Sequence, residues 1–191
     1  MASAAAMTGQ EAARYTRVAI WLHWLIAILV IGNLLIGLYH DSFGRPAAAW
    51  LMFFHKGIGI SVLVLTLGRL AWRLAHRPPA FDPVLRRWEA GLATVIHWGF
   101  YVALIAIPLT GWMVSSSVQK PNLSFFGLFD LPPLPVSRSR DAHEQFEGVH
   151  EILGKVMIGL VLLHVAGALK HHFEGHRHLM GRMAPWLYRG R

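Results

Sequence analysis

Five histidines lie inside long apolar stretches of the sequence, where an ionisable side chain is costly and therefore suggests a function. They are His23, His55, His97, His150 and His164. Imidazole is a common axial ligand of haem iron, and two facing helices can hold a cofactor between them. Two six-coordinate haems of the b type would need four such histidines, so the set is large enough for a di-haem protein.

The spacing of His150 and His164 carries the most information about geometry. These residues are 14 positions apart. In an α-helix that spacing is a rotation of ~1,400° and a rise of ~21 Å, so both side chains face the same way. The hydrocarbon core of a bilayer is about 30 Å thick. One helix would therefore present one ligand to each of two stacked haems.

The composition predicts the elements that must position these histidines. The chain has 191 residues, of which 54% are hydrophobic and 15% are charged, and it has no Cys. Its apolar residues form long runs, which are typical of membrane spans. We expect an all-α fold, an integral membrane four-helix bundle in one domain covering 1–191, with two haems between the helices. The predicted spans are about 18–39, 47–72, 90–115 and 149–169.

Charge and cysteine content exclude several classes of protein. The formal net charge is +8, but the basic residues are scattered between apolar runs and form no continuous stripe, so we expect no nucleic-acid partner. The absence of Cys excludes disulfides, thiolate ligands and iron–sulfur clusters. Of the 18 Lys and Arg residues, 12 fall on the side of the two termini and 6 on the other side. The positive-inside rule then places both termini in the cytoplasm.

The predicted depths of the histidines pair them. The first helix runs outward and the fourth runs inward, so His23, early in the first, and His164, late in the fourth, both lie towards the inner surface. The second helix also runs inward, so His55, early in the second, and His150, early in the fourth, lie towards the outer surface. The predicted ligand pairs are therefore His23–His164 and His55–His150. Small residues follow these four histidines one turn later, which leaves room for a porphyrin edge; they are Ala27, Gly59, Gly154 and Ala168.

His97 differs from the other four histidines, because Tyr101 follows it at the same offset and would obstruct a haem. We therefore predict that His97 is not a ligand. A hydrogen bond to a haem propionate, to quinone or to a neighbouring helix is left open for it.

Three basic residues near the histidines are candidates for charge-assisted contacts with haem propionates; they are Lys56, Arg17 and Arg69. The alternative is that they only set the topology. The histidines that follow the last span resemble a metal-binding tract, although a solvated segment beside the membrane is the simpler interpretation; they are His171, His172, His176 and His178.

Four sequence motifs, in this order and at this spacing, resemble the bacterial cytochrome b561 family across nearly the whole chain. The first two are R-Y-T-R-V-A-I-W-L-H-W-L-I around His23, and F-F-H-K-G-I-G-I-S around His55, followed by G-R-L-A-W-R. The third is H-W-G-F-Y-V-A-L-I-A-I-P-L-T-G-W in the third span. The fourth comprises H-E-I-L-G-K at His150 and L-L-H-V-A-G-A-L-K-H-H-F at His164.

The resemblance implies two bis-histidine haem b groups, a location in the bacterial inner membrane as a multi-pass protein, and electron exchange with the quinone pool. Some relatives oxidise superoxide at the outer face and reduce ubiquinone, and others are membrane-anchor subunits of hydrogenases or dehydrogenases. The outer-loop segment F-F-G-L-F-D-L-P-P-L-P matches no role that the resemblance supplies.

The leading hypothesis is an oxidoreductase, a membrane di-haem b-type cytochrome that moves electrons between ubiquinone or ubiquinol and an outer-face redox partner. The expected partners are membrane lipid, the quinone and that outer-face donor or acceptor, and a homo-oligomer is left open. One alternative is a cytochrome anchor subunit of a larger dehydrogenase or hydrogenase. The other, of a different class, is a non-redox metal transporter lined by histidine.

The charge distribution generates a prediction about topology. A reporter fused after Arg191 should be active on the cytoplasmic side, and one inserted near Val136 should be active on the outside, as measured with a pair of side-specific reporter enzymes. The opposite pattern would reverse the assignment of the inner and outer histidine pairs.

Overall fold

The computed structural model describes residues 15–188, so Arg14, Arg189 and Arg191 of the charge count lie outside the described residues. Four long helices dominate this part of the chain: α1 (Arg17–Tyr39), α2 (Arg45–Ala75), α3 (Arg87–Ser116) and α4 (Arg140–Phe173). All four are long and apolar enough to cross a membrane. The predicted all-α, four-helix membrane fold is confirmed, whereas the side of the membrane that holds the termini stays a prediction.

The connections between the helices define two ends of the bundle. A short 3-10 helix, His40–Phe43, joins α1 to α2, and residues 117–139 join α3 to α4. We call this end the hairpin end, because residues 117–139 contain a short β-hairpin that is described below. The connection 76–86 between α2 and α3 lies at the other end, together with the segment that follows α4. We call that end the terminal end.

Hydroxyl side chains cap the N-termini of two of the helices, α1 and α4. The Thr16 hydroxyl accepts a hydrogen bond from the Ala19 N–H at 3.2 Å, and the Ser139 hydroxyl accepts one from the Ala142 N–H at 3.2 Å. Both are N-caps that satisfy a backbone donor which the helix itself leaves unpaired. The cap at Ser139 begins α4 nine residues before the predicted span, because hydropathy marks only the apolar part of a helix that starts in a polar segment.

The core lies midway along the bundle and draws one or two residues from every helix; its members are Ile26, Val62, Ala103, Leu104 and Met157. Met157 is only 2% exposed and lies seven residues from both His150 and His164. Among the described residues, backbone packing is extensive for α1 with α2, α2 with α3 and α3 with α4, but not for α4 with α1 or α2. Helix α4 is therefore braced on one side only.

The segment after α4 folds back over the terminal end. It contains a short helix, α5 (Arg177–Gly181), and a 3-10 turn, Pro185–Tyr188. Asp82 of the α2–α3 connection lies 3.1 Å from both Arg182 and His178, and the Trp24 indole N–H donates to the Met183 carbonyl at 2.8 Å. Burial tends to raise the pKa of Asp82, but the Val84 N–H and these two basic groups lower it below its usual value.

The α3–α4 connection is an ordered structure that the sequence did not predict. Two short antiparallel strands, β1 (Ser124–Phe125) and β2 (Phe129–Asp130), form a hairpin in it. Its return segment is fixed to the end of α3, since the Leu134 N–H donates to the Ser116 hydroxyl at 3.0 Å. The Trp112 indole N–H also donates to the Pro132 carbonyl at 3.1 Å.

Candidate functional site

His55 of α2 and His150 of α4 face each other near the hairpin end, with ring centres 6.0 Å apart and ring planes at 80°. His55 Nδ1 lies 3.2 Å from the Asn33 carbonyl oxygen, and His150 Nδ1 lies 3.0 Å from the Ile107 carbonyl oxygen. A carbonyl only accepts, so both Nδ1 atoms are the protonated ones. Each ring therefore keeps a lone pair on Nε2, which is the arrangement that metal-ligating histidines use.

Glycine on the neighbouring helices leaves room for these two rings. A Cβ added at Gly37 would lie 3.3 Å from His55 Cε1, and one added at Gly111 would lie 3.1 Å from His150 Cε1. The Thr110 hydroxyl is 3.2 Å from His150 Nδ1 and within hydrogen-bond distance of the Ala106 and Ile107 carbonyls. Helix α3 thus supplies both the acceptor and the clearance that orient His150.

Three imidazoles meet near the terminal end. The ring centres of His23 and His164 are 6.1 Å apart, with planes at 66°, and those of His97 and His164 are 5.8 Å apart, with planes at 64°. The ring of Phe100 also makes a T-shaped contact with the His164 ring, at 5.4 Å between ring centres. The sequence predicted the approach of His23 to His164, but it did not predict that the His97 ring would lie slightly closer to His164 than the His23 ring does.

These separations suit a metal ion between two imidazoles. Two metal–nitrogen bonds of about 2 Å, with ~1 Å from each nitrogen to its ring centre, place the ring centres ~6 Å apart. The ring-centre distances of all three pairs are therefore compatible with a metal ion between the imidazoles. The space for a porphyrin distinguishes them, because a flat macrocycle also needs a gap between the two helices that carry its ligands.

For two of the three pairs, the helices that carry the histidines do not pack extensively on each other. Near His97 and His164, α3 packs directly on α4, since a Cβ added at Gly99 would lie 3.4 Å from Leu160 Cδ2. The pairs His23–His164 and His55–His150 instead join α4 to α1 and α2, on which it does not pack extensively. There is also clearance one turn after two of the histidines: among the described residues, the atom nearest to a Cβ added at Gly59 would be 3.9 Å away, and none would lie within 4 Å of one added at Gly154.

The three basic residues predicted near the cofactor occupy different positions. Lys56 is half-buried and interacts electrostatically with His55. Arg69 is half-buried, interacts electrostatically with the three imidazoles at the terminal end, and lines a cleft with Trp72, Arg73 and Tyr101. Arg17 is exposed at the start of α1 and is not among the residues that line this cleft.

Part of the histidine-rich tail belongs to an ion-pair network. Side-chain atoms of Glu89, His171 and Glu174 lie within 4.8 Å of one another, as ligands of a metal ion would. The Lys170 ammonium, however, already donates to Glu89 at 2.6 Å and to Glu174 at 3.0 Å. These contacts lower the pKa of Glu174 below its usual value, chiefly through the hydrogen bond from Lys170. The group therefore joins α4 to α3 without needing a metal.

The fold and the facing imidazoles together define a class, the membrane-embedded helical cytochromes. Comparison with known proteins agrees with this class. The family model for prokaryotic cytochrome b561 matches residues 14–186, and the chain therefore belongs to this family. Family membership makes it a multi-pass membrane protein of a bacterial family that binds b-type haem and takes part in electron transfer.

Individual relatives cover most of the chain. Cytochrome b561 homolog 2 of Escherichia coli is 32% identical over 167 residues, which are 84% of this chain and 85% of the relative. The protein named "Probable superoxide oxidase CybB" of Yersinia pestis is 27% identical over 172 residues, or 90% of this chain and 96% of the relative. Cytochrome b561 homolog 1 of Escherichia coli is 25% identical over 174 residues, or 90% and 97% of the two chains.

Proposed function

We propose that this protein is a di-haem cytochrome b that transfers electrons between the quinone pool and a redox partner at the hairpin end. The observation that carries the proposal is the presence of facing imidazoles at two depths of one membrane bundle. His150 and His164 share a face of α4, ~21 Å apart along the helix axis, and each meets an imidazole from another helix.

The proposed ligand pairs are His55–His150 at the hairpin end and His23–His164 at the terminal end. When bound, haem b carries one electron by alternating between ferric and ferrous iron. The protein's part is to hold each Nε2 towards the iron. The carbonyls of Asn33 and Ile107 support this at the hairpin end, because each fixes one imidazole by accepting from its Nδ1.

His97 is proposed as a neighbour of the terminal-end haem and not as a ligand. The direct packing of α3 on α4 supports His23 rather than His97 as the partner of His164, although the ring centre of His97 is slightly closer to that of His164, at 5.8 Å against 6.1 Å. Among the basic residues, Lys56 and Arg69 are the proposed propionate contacts, because both are half-buried beside the imidazoles. The exposed position of Arg17 gives it the least support.

Superoxide at the outer face and ubiquinone are the proposed substrates. The protein would lie in the bacterial inner membrane, with the hairpin end outside and both termini in the cytoplasm. The relative named as a probable superoxide oxidase supports the first substrate. Oxidation of two superoxide anions to two O₂ supplies two electrons, which with two protons reduce one ubiquinone to ubiquinol. Membership of a cytochrome family favours this redox function over the metal-transporter hypothesis.

The direct test of this function uses the purified, haem-loaded protein in lipid nanodiscs, with ubiquinol added under anaerobic conditions and superoxide generated in aerated buffer, because its enzymatic source consumes O₂. A soluble ubiquinol and, separately, enzymatically generated superoxide should each reduce the haems, and superoxide with excess ubiquinone should yield ubiquinol. Absorbance of the reduced haem and chromatography of the quinone measure these outcomes. If neither donor reduces the haems, the oxidoreductase proposal fails, and a cytochrome fed by a partner subunit replaces it.

The ligand assignment predicts which histidine variants lose the same haem. His23→Ala and His164→Ala should both lose the terminal-end haem, and His55→Ala and His150→Ala the hairpin-end haem, leaving about half of the haem content in each variant. His97→Ala is the matched control and should keep both haems. Haem stoichiometry and redox titration of all five proteins measure this. Loss of a haem from His97→Ala, or of different haems from His23→Ala and His164→Ala, would overturn the pairing.

A second prediction tests the orientation of His150 without removing it. Gly111→Val should push the His150 ring from its position, because even a Cβ there would lie 3.1 Å from Cε1. The midpoint potential and the low-temperature spectrum of the hairpin-end haem should change, and those of the other haem should not. Gly159→Ala in α4 is the control, since no atom of the described residues lies within 4 Å of its added Cβ. Identical titrations for both variants would contradict the assigned role of Gly111.

A further inference from the structure

The tip of the hairpin at residues 124–130 has an unusual backbone. The Leu128 N–H donates to the Phe125 carbonyl at 3.0 Å and closes a tight turn in which Phe126 has φ of 51° and Gly127 has φ of 76°. Positive φ suits Gly, Asn or Asp at such a turn, whereas a bulky aromatic residue there is strained. The surroundings of the Phe126 side chain must therefore stabilise this conformation.

Phe126 packs directly on the backbone of α2. A Cβ added at Gly57 would lie 2.7 to 2.8 Å from three atoms of the Phe126 ring, so only glycine leaves room for the ring at this position. The added Cβ of Gly127 would be in ordinary contact with Phe53, at 3.8 Å. The hairpin is therefore docked on the flank of a membrane-spanning helix and does not project freely from the bundle.

A continuous series of ring contacts joins the hairpin to the exposed surface of α2. Neighbouring ring centres are between 4.9 and 6.3 Å apart. We call this group the aromatic cluster; its members are Trp50, Phe53, Phe54, Phe125, Phe126 and Phe129. The cluster is not a closed core, because Trp50 is 65% exposed and Phe129 is 59% exposed, and Leu128 at the turn is 76% exposed.

Charged residues at the same depth place this cluster near a membrane boundary. Lys56 immediately precedes Gly57 in the chain. His55, two residues from Gly57, faces His150, which the exposed Glu151 follows in the chain. Charged side chains and aromatic rings occur together where the hydrocarbon core meets the headgroups. Exposed apolar side chains at this level are disfavoured in water and stabilised by contact with lipid.

We propose that the hairpin is a membrane-interfacial element, seated on α2 through Phe126 and Gly57, with Leu128 and Phe129 in contact with the lipid of the nearer leaflet. The occupant of this exposed apolar surface is lipid, because the surface is continuous with the lipid-facing side of α2. The hairpin thereby holds the part of α2 that carries His55 and Lys56. This inference does not depend on the proposed electron-transfer reaction.

The absence of Cys from the sequence permits a direct test with single spin labels. Full-length protein with Leu128→Cys is labelled and placed in nanodiscs of phosphatidylethanolamine and phosphatidylglycerol. Accessibility to O₂, which partitions into lipid, is compared with accessibility to a water-soluble nickel chelate. Leu162→Cys, on the exposed surface of α4, is the lipid control, and Ser137→Cys, exposed in the same connection, is the water control.

The label at Leu128 should be more accessible to O₂ than to the nickel chelate, with a ratio between those of the two controls. A ratio equal to that of Ser137→Cys would overturn the proposal by showing that the hairpin lies in water. Protection from both reagents would also overturn it, because the hairpin would then be covered by protein, such as a second copy of the chain.

A second pair of variants tests separately the contact between Phe126 of the hairpin and Gly57 of α2. Gly57→Leu should displace Phe126, so the label at Leu128 should become more mobile and several-fold more accessible to the nickel chelate. Gly68→Leu is the matched control on the same helix, since its added Cβ has no atom within 4 Å in the part of the chain that the structure describes. Unchanged spectra in Gly57→Leu would show that the hairpin is not held by this contact. Comparison of circular dichroism and elution volume across the set verifies that each variant is folded.

Discussion

An imidazole inside a bilayer must find a polar or metal partner, and this requirement organises the whole bundle. Helix α4 presents His150 and His164 on one face, with Met157 buried midway between them. Helices α1 and α2 bring His23 and His55 to within about 6 Å of these rings without packing extensively on α4. Helix α3 does the opposite, because it packs along α4 and holds it in place. This division between two helices that do not pack extensively on α4 and one helix that braces it fits the proposed placement of a large planar cofactor.

The bracing helix, α3, also fixes the tautomer and the orientation of one histidine, His150. His150 donates from Nδ1 to the Ile107 carbonyl, beside the Thr110 hydroxyl, and its ring lies against Gly111. Three neighbouring positions of α3 therefore fix the tautomer, the direction and the clearance of one imidazole on α4. At the opposite ring, the Asn33 carbonyl and Gly37 of α1 serve His55 in the same way. Each hairpin-end imidazole is thus oriented by a helix other than its own and other than its partner's.

The sequence predicts those features that depend on hydropathy and on spacing within one helix. Four apolar runs predict the four helices, and the 14-residue spacing predicts that His150 and His164 share a face. The approach of His97 to His164 could not be predicted, because it depends on how α3 is rotated against α4. The polar start of α4 was missed since it carries no hydropathy signal. The hairpin was missed because its strands have two residues each and its turn places Phe126 where Asn or Gly would be the usual signal.

The two ends of the bundle differ in charge, and this difference has a consequence for the proposed electron transfer. At the terminal end, Arg69 interacts with all three imidazoles, and Arg73 lies 5.9 Å from the centres of the Trp98 and Tyr101 rings. At the hairpin end, the half-buried Lys56 interacts with His55, and the acidic Glu147 and Glu151 interact with His150. A neighbouring positive charge favours the reduced state of a haem, since reduction adds a negative charge in a medium of low dielectric constant. More cationic groups surround the terminal-end pair among the described residues. Under the proposed function, in which the hairpin end is the outer end, this difference would favour electron movement from the hairpin-end pair to the terminal-end pair.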